Sequence, residues 1–261
     1  MSYSSYGRPG TKIFESTEFV FEPPPEIIRA RRILIKPLAR YPLPPPVTTS
    51  RDILGSVISS IRKVSEADIL FLEGNPEGKP MQPIYRALGY DFPRVLTLDV
   101  RDSVLIEVEN PLNKPFAMPT FWLPNVVLSC DCLLTIAPFR SFNDRWGGCI
   151  ENLLSLLPVE KYRAEELTGG NILLDLGIEK VLTDLYFTLP FDIGIVELKS
   201  RADLTEEEKI HEMRNRVIVG EPHEVDNEAA RILGINVEHL RTIKMTRVDL
   251  PDQISSLGHF L

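Results

Sequence analysis

"ILIKPLARYPLPPPVTTS", residues Ile33–Ser50, packs a strand, a stiff bend and a helix start into one short stretch. Ile33–Ile35 is apolar and β-branched at its ends, as a short buried strand requires. It runs into Lys36 and then a bend carrying Pro37, Pro42, Pro44, Pro45 and Pro46. Each proline presets φ and lowers the entropy of the unfolded chain, so the bend is built to keep its shape. Thr48 and Thr49 follow, then Ser50, an N-cap for a helix whose stripe is Ile53, Val57, Ile58 and Ile61. Two readings of the bend stand side by side. It delivers hydroxyls and a helix N-terminus to an anion, or its prolines only block pairing at a sheet edge.

The same strand-to-helix pattern extends outward. "DILFLEG" (Asp68–Gly74), "RVLTLDV" (Arg94–Val100), "CLLTIAP" (Cys132–Pro138), "FDIGIVEL" (Phe191–Leu198) and "RVIVG" (Arg216–Gly220) read as strands. Between and after them, helical patterns cover Pro83–Leu88, Asp144–Leu157, Val159–Leu167, Ile178–Leu189, the charged stretch Asp203–Met213, and Glu224–Leu233, which Gly234 ends. "SVLIEVE" (Ser103–Glu109) alternates, which suits a hairpin or a sheet edge. Such alternation predicts an α/β fold: a mainly parallel sheet with helices on both faces and a small antiparallel hairpin or edge strand. Residues 1–26 read as an N-terminal arm or edge strand, with an alternating piece at Phe19–Phe21; 27–245 read as one α/β domain and 246–261 as a tail that docks on the domain or on a second subunit.

Composition narrows the function. The chain has 261 residues, 43% of them hydrophobic, enough for a full core, and a net charge of −8. That charge argues against nucleic acid, which demands a basic face, but leaves room for a small anion held by one or two cations. Cys130, Cys132 and Cys149 are too few and too clustered for a disulfide framework, and they read as buried free thiols. An iron–sulfur cluster is not expected on that spacing. No apolar leader or spanning segment is evident, so the chain reads as soluble and cytoplasmic, with no membrane partner. GxGxxG, P-loop and GxSxG motifs are all missing.

In open α/β sheets, ligands bind beyond the carboxyl ends of the strands. The groups there are Lys36, Thr48 and Thr49; Glu73 and Gly74; Arg140, Ser141 and Asn143; Glu197; and Asp226. Converging on one crevice, they would suit a small anionic or polyol ligand, or a divalent cation held by carboxylates. Glu73, Glu197 and Asp226 are then the candidate acids, bases or metal ligands. Lys36, Thr48, Thr49, Gly74, Arg140, Ser141, Asn143 and Asn152 are the candidate ligand contacts. His223 reads as a general base or an exposed first-turn residue, while His211, His239 and His259 show no evident partners. Gly147 and Gly148 either let a ligand approach the backbone or pack tightly.

In order along the chain, "IKPL" (Ile35–Leu38), "PVTTS" (Pro46–Ser50), "LEG" (Leu72–Gly74), "CDCLLTIAPFRSF" (Cys130–Phe142), "GGCIENL" (Gly147–Leu153), "GIVEL" (Gly194–Leu198) and "VGEPHEVDNEAARILGI" (Val219–Ile235) resemble the motifs of the proteins grouped as domain of unknown function 362. That resemblance spans roughly Ile33–Leu240 and implies an α/β domain, in some relatives fused to a ferredoxin-type module that this chain lacks. Lys36, Thr48, Thr49, Glu73 and Asn152 match the pattern, Asp226 keeps its Val-Asp pair, and Arg140 and Ser141 keep the charge and hydroxyl of a Lys-Thr. Leu38 and Phe142 replace the family's asparagine and histidine, Glu151 reverses a lysine's charge, and Glu197 and Glu221 replace aspartates. Two functions follow. One is an enzyme acting on a small anionic metabolite; the other is a non-catalytic ligand-binding or assembly protein with a degenerate site. A third, a redox partner working through Cys130 and Cys132, predicts that thiol blocking abolishes function.

Overall fold

The computed structural model describes residues 10–142, 145–163, 171–198 and 215–249. The stretch 203–213, expected to be helical, lies outside the described residues, as does the expected tail 246–261 beyond Asp249, its first residues belonging to the last helix. In chain order the strands are β1 (Lys12–Glu15), β2 (Arg32–Pro37), β3 (Asp68–Glu73), β4 (Val95–Asp99), β5 (Leu105–Glu109), β6 (Thr120–Pro124), β7 (Cys132–Pro138), β8 (Arg140–Phe142), β9 (Arg145–Gly147), β10 (Ile193–Leu198) and β11 (Arg216–Gly220). The helices are α1 (Pro25–Arg29), α2 (Arg51–Arg62), α3 (Met81–Ala87), α4 (Cys149–Asn152), α5 (Val159–Tyr162), α6 (Ile172–Asp175), α7 (Ile178–Thr188), α8 (Pro222–Leu233) and α9 (Glu238–Asp249).

Seven strands make one sheet in the order β1-β11-β10-β7-β2-β3-β4. The five from β10 to β4 are parallel, and β11 and β1 add antiparallel pairs at one side. The parallel strands are apolar on both faces, as a covered sheet demands. Ile33, Ile35, Ile69 and Phe71 face a core built with Ile53, Leu54, Val57, Ile58 and Ile61 of α2. Leu34, Leu70 and Leu72 point the other way, into a second core with Phe121 of the β5–β6 hairpin and Val181 and Leu185 of α7. A third cluster packs α8 and α9 against β10 and β11.

β2 is therefore central, paired to β3 on one side and β7 on the other, and the prolines after it have no edge to protect. From β2 the chain winds outward through β3 and β4, then returns past β2 to β7 and β10. That reversal puts the topological switch point between the carboxyl ends of β2 and β7, where a crevice opens in folds of this kind.

Several sequence expectations are corrected. The N-terminal strand is Lys12–Glu15, whereas Phe19 and Phe21 are not in a strand but plug the core. Asp144–Leu157 is not one helix. Arg145–Gly147 pairs with Arg140–Phe142 as a small hairpin, and only α4 and a 3-10 turn at Leu153–Leu156 are helical. The cause is Gly148, whose φ of −139° and ψ of −114° break the helical path just before Cys149. Helix α9, with a mostly polar sequence, carried no periodic signal strong enough to expect it. The loop between β5 and β6 is tied to α7 by one side chain. Asp184, fully buried, accepts the backbone N–H groups of Phe116 (3.0 Å), Ala117 (2.7 Å) and Met118 (2.9 Å). Among the described residues no helix is long and apolar enough to cross a membrane.

Candidate functional site

At the end of β2, Lys36 turns into the molecule and is wholly buried. Its ammonium donates to Glu73 Oε1 (2.7 Å), Asn152 Oδ1 (3.0 Å) and the Pro37 carbonyl (3.0 Å). Glu73, at the end of β3, also accepts from the Ala39 N–H (2.7 Å), the Gly74 N–H (2.9 Å) and the Ser155 hydroxyl. Asn152 returns donors to the Lys36 carbonyl (3.0 Å) and Thr135 Oγ1 (3.1 Å), bridging β2 and β7 across the switch point. Every strong donor and acceptor here has a partner, which is the condition for burying an ion pair. Burial pulls the Lys36 pKa down to about 8; the Glu73 carboxylate opposes this, and the Arg40 charge adds to it.

The threonines lock the proline bend. Thr49 Oγ1 accepts from the Leu38 N–H (2.9 Å) and donates to the Ile136 carbonyl (2.7 Å), and the Thr49 N–H meets the Leu38 carbonyl (3.0 Å). Thr48 donates to the Leu43 carbonyl (2.6 Å). The two ends of the bend are thus fastened together at Leu38 and Thr49. Ser50 caps α2 as the sequence predicts. The Ser50 N–H, in turn, is held by Glu197 Oε1 (2.8 Å).

Asp226 serves another helix. Its two oxygens accept the N–H groups of Cys149 (2.8 Å) and Ile150 (2.9 Å), at the start of α4. Burial pushes its carboxyl up to about 7, against those two N–H groups and the His239 charge, which favour the anion. The glycines before α4 pack tightly. A Cβ on Gly148 would lie 2.5 Å from Asp226 Oδ1, and one on Gly147 would lie 2.3 Å from the Glu151 Cβ. So Lys36 and Glu73 come together with Asn152, while Glu197 and Asp226 hold separate helix starts. Ser141 is exposed on the β8–β9 hairpin, Arg140 beside it is half-buried, and Asn143 lies outside the described residues.

Behind the Gly74 wall of this network lies a cavity of about 180 Å³. Gly74 and Asn75 line it after β3, Asp99 and Arg101 after β4, and Arg40, Glu151 and Ser155 beside the switch point. Arg145 and Glu179 line it further along. Arg40 and Glu151 are the functional candidates that sequence reading passed over. Arg40 Nη1 donates to Glu151 Oε1 (2.7 Å) and Nη2 to the Glu151 carbonyl (2.8 Å), and the buried Nε–H finds no acceptor among the described residues. Burial works against both charges but loses in each case. Glu151, then Glu73, hold Arg40 above its usual value, and Arg40, Arg140 and Lys36 hold Glu151 below its own. Glu151 lies in the first turn of α4, and the only local hint was an acid placed among apolar neighbours, Cys149, Ile150, Leu153 and Leu154, which calls for a cation from elsewhere in the chain.

Elsewhere, Glu221, His223 and Glu224 bring their ligand atoms within 4.8 Å of one another, a spacing compatible with a metal ion. Arg247 already supplies a cation there, its Nη1 reaching Glu221 (3.1 Å), His223 Nδ1 (3.2 Å) and Glu224 (3.3 Å). His223 is buried rather than exposed, and burial lowers its pKa. His239, expected to lack a partner, joins Glu179 Oε2 through Nδ1 (2.7 Å).

No protein-family model matches the chain, and no curated protein matches it. Among solved structures the chain is similar to the lactate racemase apoprotein from Thermoanaerobacterium thermosaccharolyticum, with a TM-score of 0.54 at 12% identity. The match covers 84% of this chain and 53% of that one, so the chain spans about half the racemase's length. At that identity the likeness is one of fold, and the fold this chain has is lactate-racemase-like.

Proposed function

We propose that this chain binds a small organic anion in the cavity beside the switch point, with Arg40 as the group that receives it. The supporting observation is Arg40's position: a guanidinium on the cavity wall, just beyond the carboxyl end of β2. Lactate, the compound named for the protein of similar fold, is a small anion of this class. The motif order shared with the domain of unknown function 362 supports the same edge of the sheet, and we place the chain as a divergent relative of that family.

Binding is favoured over catalysis by the state of Lys36 and Glu73. Both are shut off from solvent and committed to each other and to hydrogen bonds within the chain, so neither reaches a ligand in the cavity. The test is a thermal-shift and calorimetric screen with L- and D-lactate, other 2-hydroxy acids and inorganic phosphate. A ligand that binds only the folded chain raises the melting temperature. We expect stabilisation by a carboxylate, lost in Arg40→Gln paired with Glu151→Gln, which removes the ion pair without stranding a charge. No stabilisation by any anion in the panel would overturn the reading.

A further inference from the structure

The cavity has a second wall of different chemistry. Leu154 follows α4, Leu157 and Val159 lead into α5, Leu173 sits on α6, and Ile178 and Leu182 sit on α7. All six are apolar, and they belong to segments that otherwise pack into the second and third cores. A cavity walled only for a carboxylate would waste this surface, because water against leucine is unfavourable and the gain on covering it is large.

Resting on the anion-binding reading above, we propose that the ligand is an amphipathic carboxylate. Its acid group meets Arg40, and a branched-alkyl or aryl body lies against Leu154 and Leu182. The volume agrees. A dry, leucine-lined cavity of roughly 150 Å³ accepts a benzene ring, and this one measures about 180 Å³. The three carbons of lactate would leave much of the apolar wall wet. A ring or a branched chain of four or more carbons covers it.

The experiment is a calorimetric titration of the full chain with lactate, 2-hydroxyisocaproate and 3-phenyllactate, and with 3-phenylpropanol as the uncharged control. Affinity should rise along the acid series, by roughly 10- to 100-fold from lactate to phenyllactate, the gain expected for burying a side chain of that size. The alcohol should bind far more weakly than phenyllactate. Leu154→Gln, and separately Val159→Gln, should erase the preference for the larger acids; both positions are only partly buried, and each variant's folding is checked by its melting curve. Equal binding of lactate and phenyllactate would overturn the apolar wall's role but keep the anion reading. Equal binding of the alcohol and the acid would overturn the amphipathic assignment. Binding of none of the acids would remove the anion reading itself.

Discussion

Lys36 is the residue whose loss the fold should feel most. Removing it leaves Glu73 charged and buried with no countercharge at 2.7 Å. Breaking a buried pair from one side costs about 3–5 kcal/mol, much more than replacing both partners by apolar groups. Lys36→Met should therefore lower stability by that order in urea denaturation, and Lys36→Met with Glu73→Leu should recover most of it. Equal losses in the single and double variants would refute the pairing. Asp226 gives a pH signature instead. It binds its proton near 7 in the folded chain and near 3.9 once unfolded. Between those values the folded state holds the extra proton, so the stability tied to Asp226 is full below about pH 4 and lost as pH rises to 7. Measured against Asp226→Asn, the wild-type chain should lose ground across that window; gaining ground there would sink the assignment. At this scale strand-end position alone did not sort the candidates, since Glu197 at the end of β10 holds the start of α2 instead. Lys36, Glu73 and Asn152 were singled out and do meet. Arg40 was passed over because it lies inside the proline bend, three residues past the strand, and only the folded bend aims it at Glu151.

Elements were legible in proportion to their period. The strands around "ILI" and the stripe of α2 carry strong local patterns, and the alternating "SVLIEVE" does form a hairpin strand. The misreading at Asp144–Leu157 has a local cause. The apolar spacing of Ile150, Leu153 and Leu154 is helical, but two glycines ahead of it stop the helix from extending upstream. Gly148 is there because Asp226 and Phe139 leave no room for a side chain, a long-range contact that no local window contains. Gly148→Ala should accordingly force Asp226 off the start of α4. Overpacking of this kind costs about 1–3 kcal/mol, readable in denaturation, and the change should also shift the Asp226 pH dependence described above. An alanine variant as stable as wild type would show that the contact yields without cost.

Across the whole molecule, the alternation of strands and helices predicted a mainly parallel sheet covered on both faces, and that is the architecture observed. The cavity was not legible, since its walls come from the ends of β3 and β4 and from α5, α6 and α7, which only the folded sheet brings together. The thiols bear on the redox reading at this scale. Cys130, Cys132 and Cys149 are all buried, and burial raises each pKa, that of Cys130 to about 11. A thiol must ionise and be reached in order to react. An aromatic disulfide reagent at neutral pH should leave the native chain unlabelled for an hour and label all three cysteines in denaturant; rapid native labelling would revive the redox-partner reading.

The clasp of Asp184 on three consecutive amides has a mechanical consequence. The same helix that carries Asp184 carries Ile178, Glu179 and Leu182 into the cavity wall, within two turns. Hairpin and helix are therefore joined through one side chain, so displacing α7 at the cavity strains the three bonds that hold the β5–β6 loop. A ligand that stiffens α7 is expected to steady the hairpin through the same bonds. Amide exchange at Phe116, Ala117 and Met118 should therefore slow when phenyllactate is added, and unchanged exchange would show that the clasp does not couple loop and cavity.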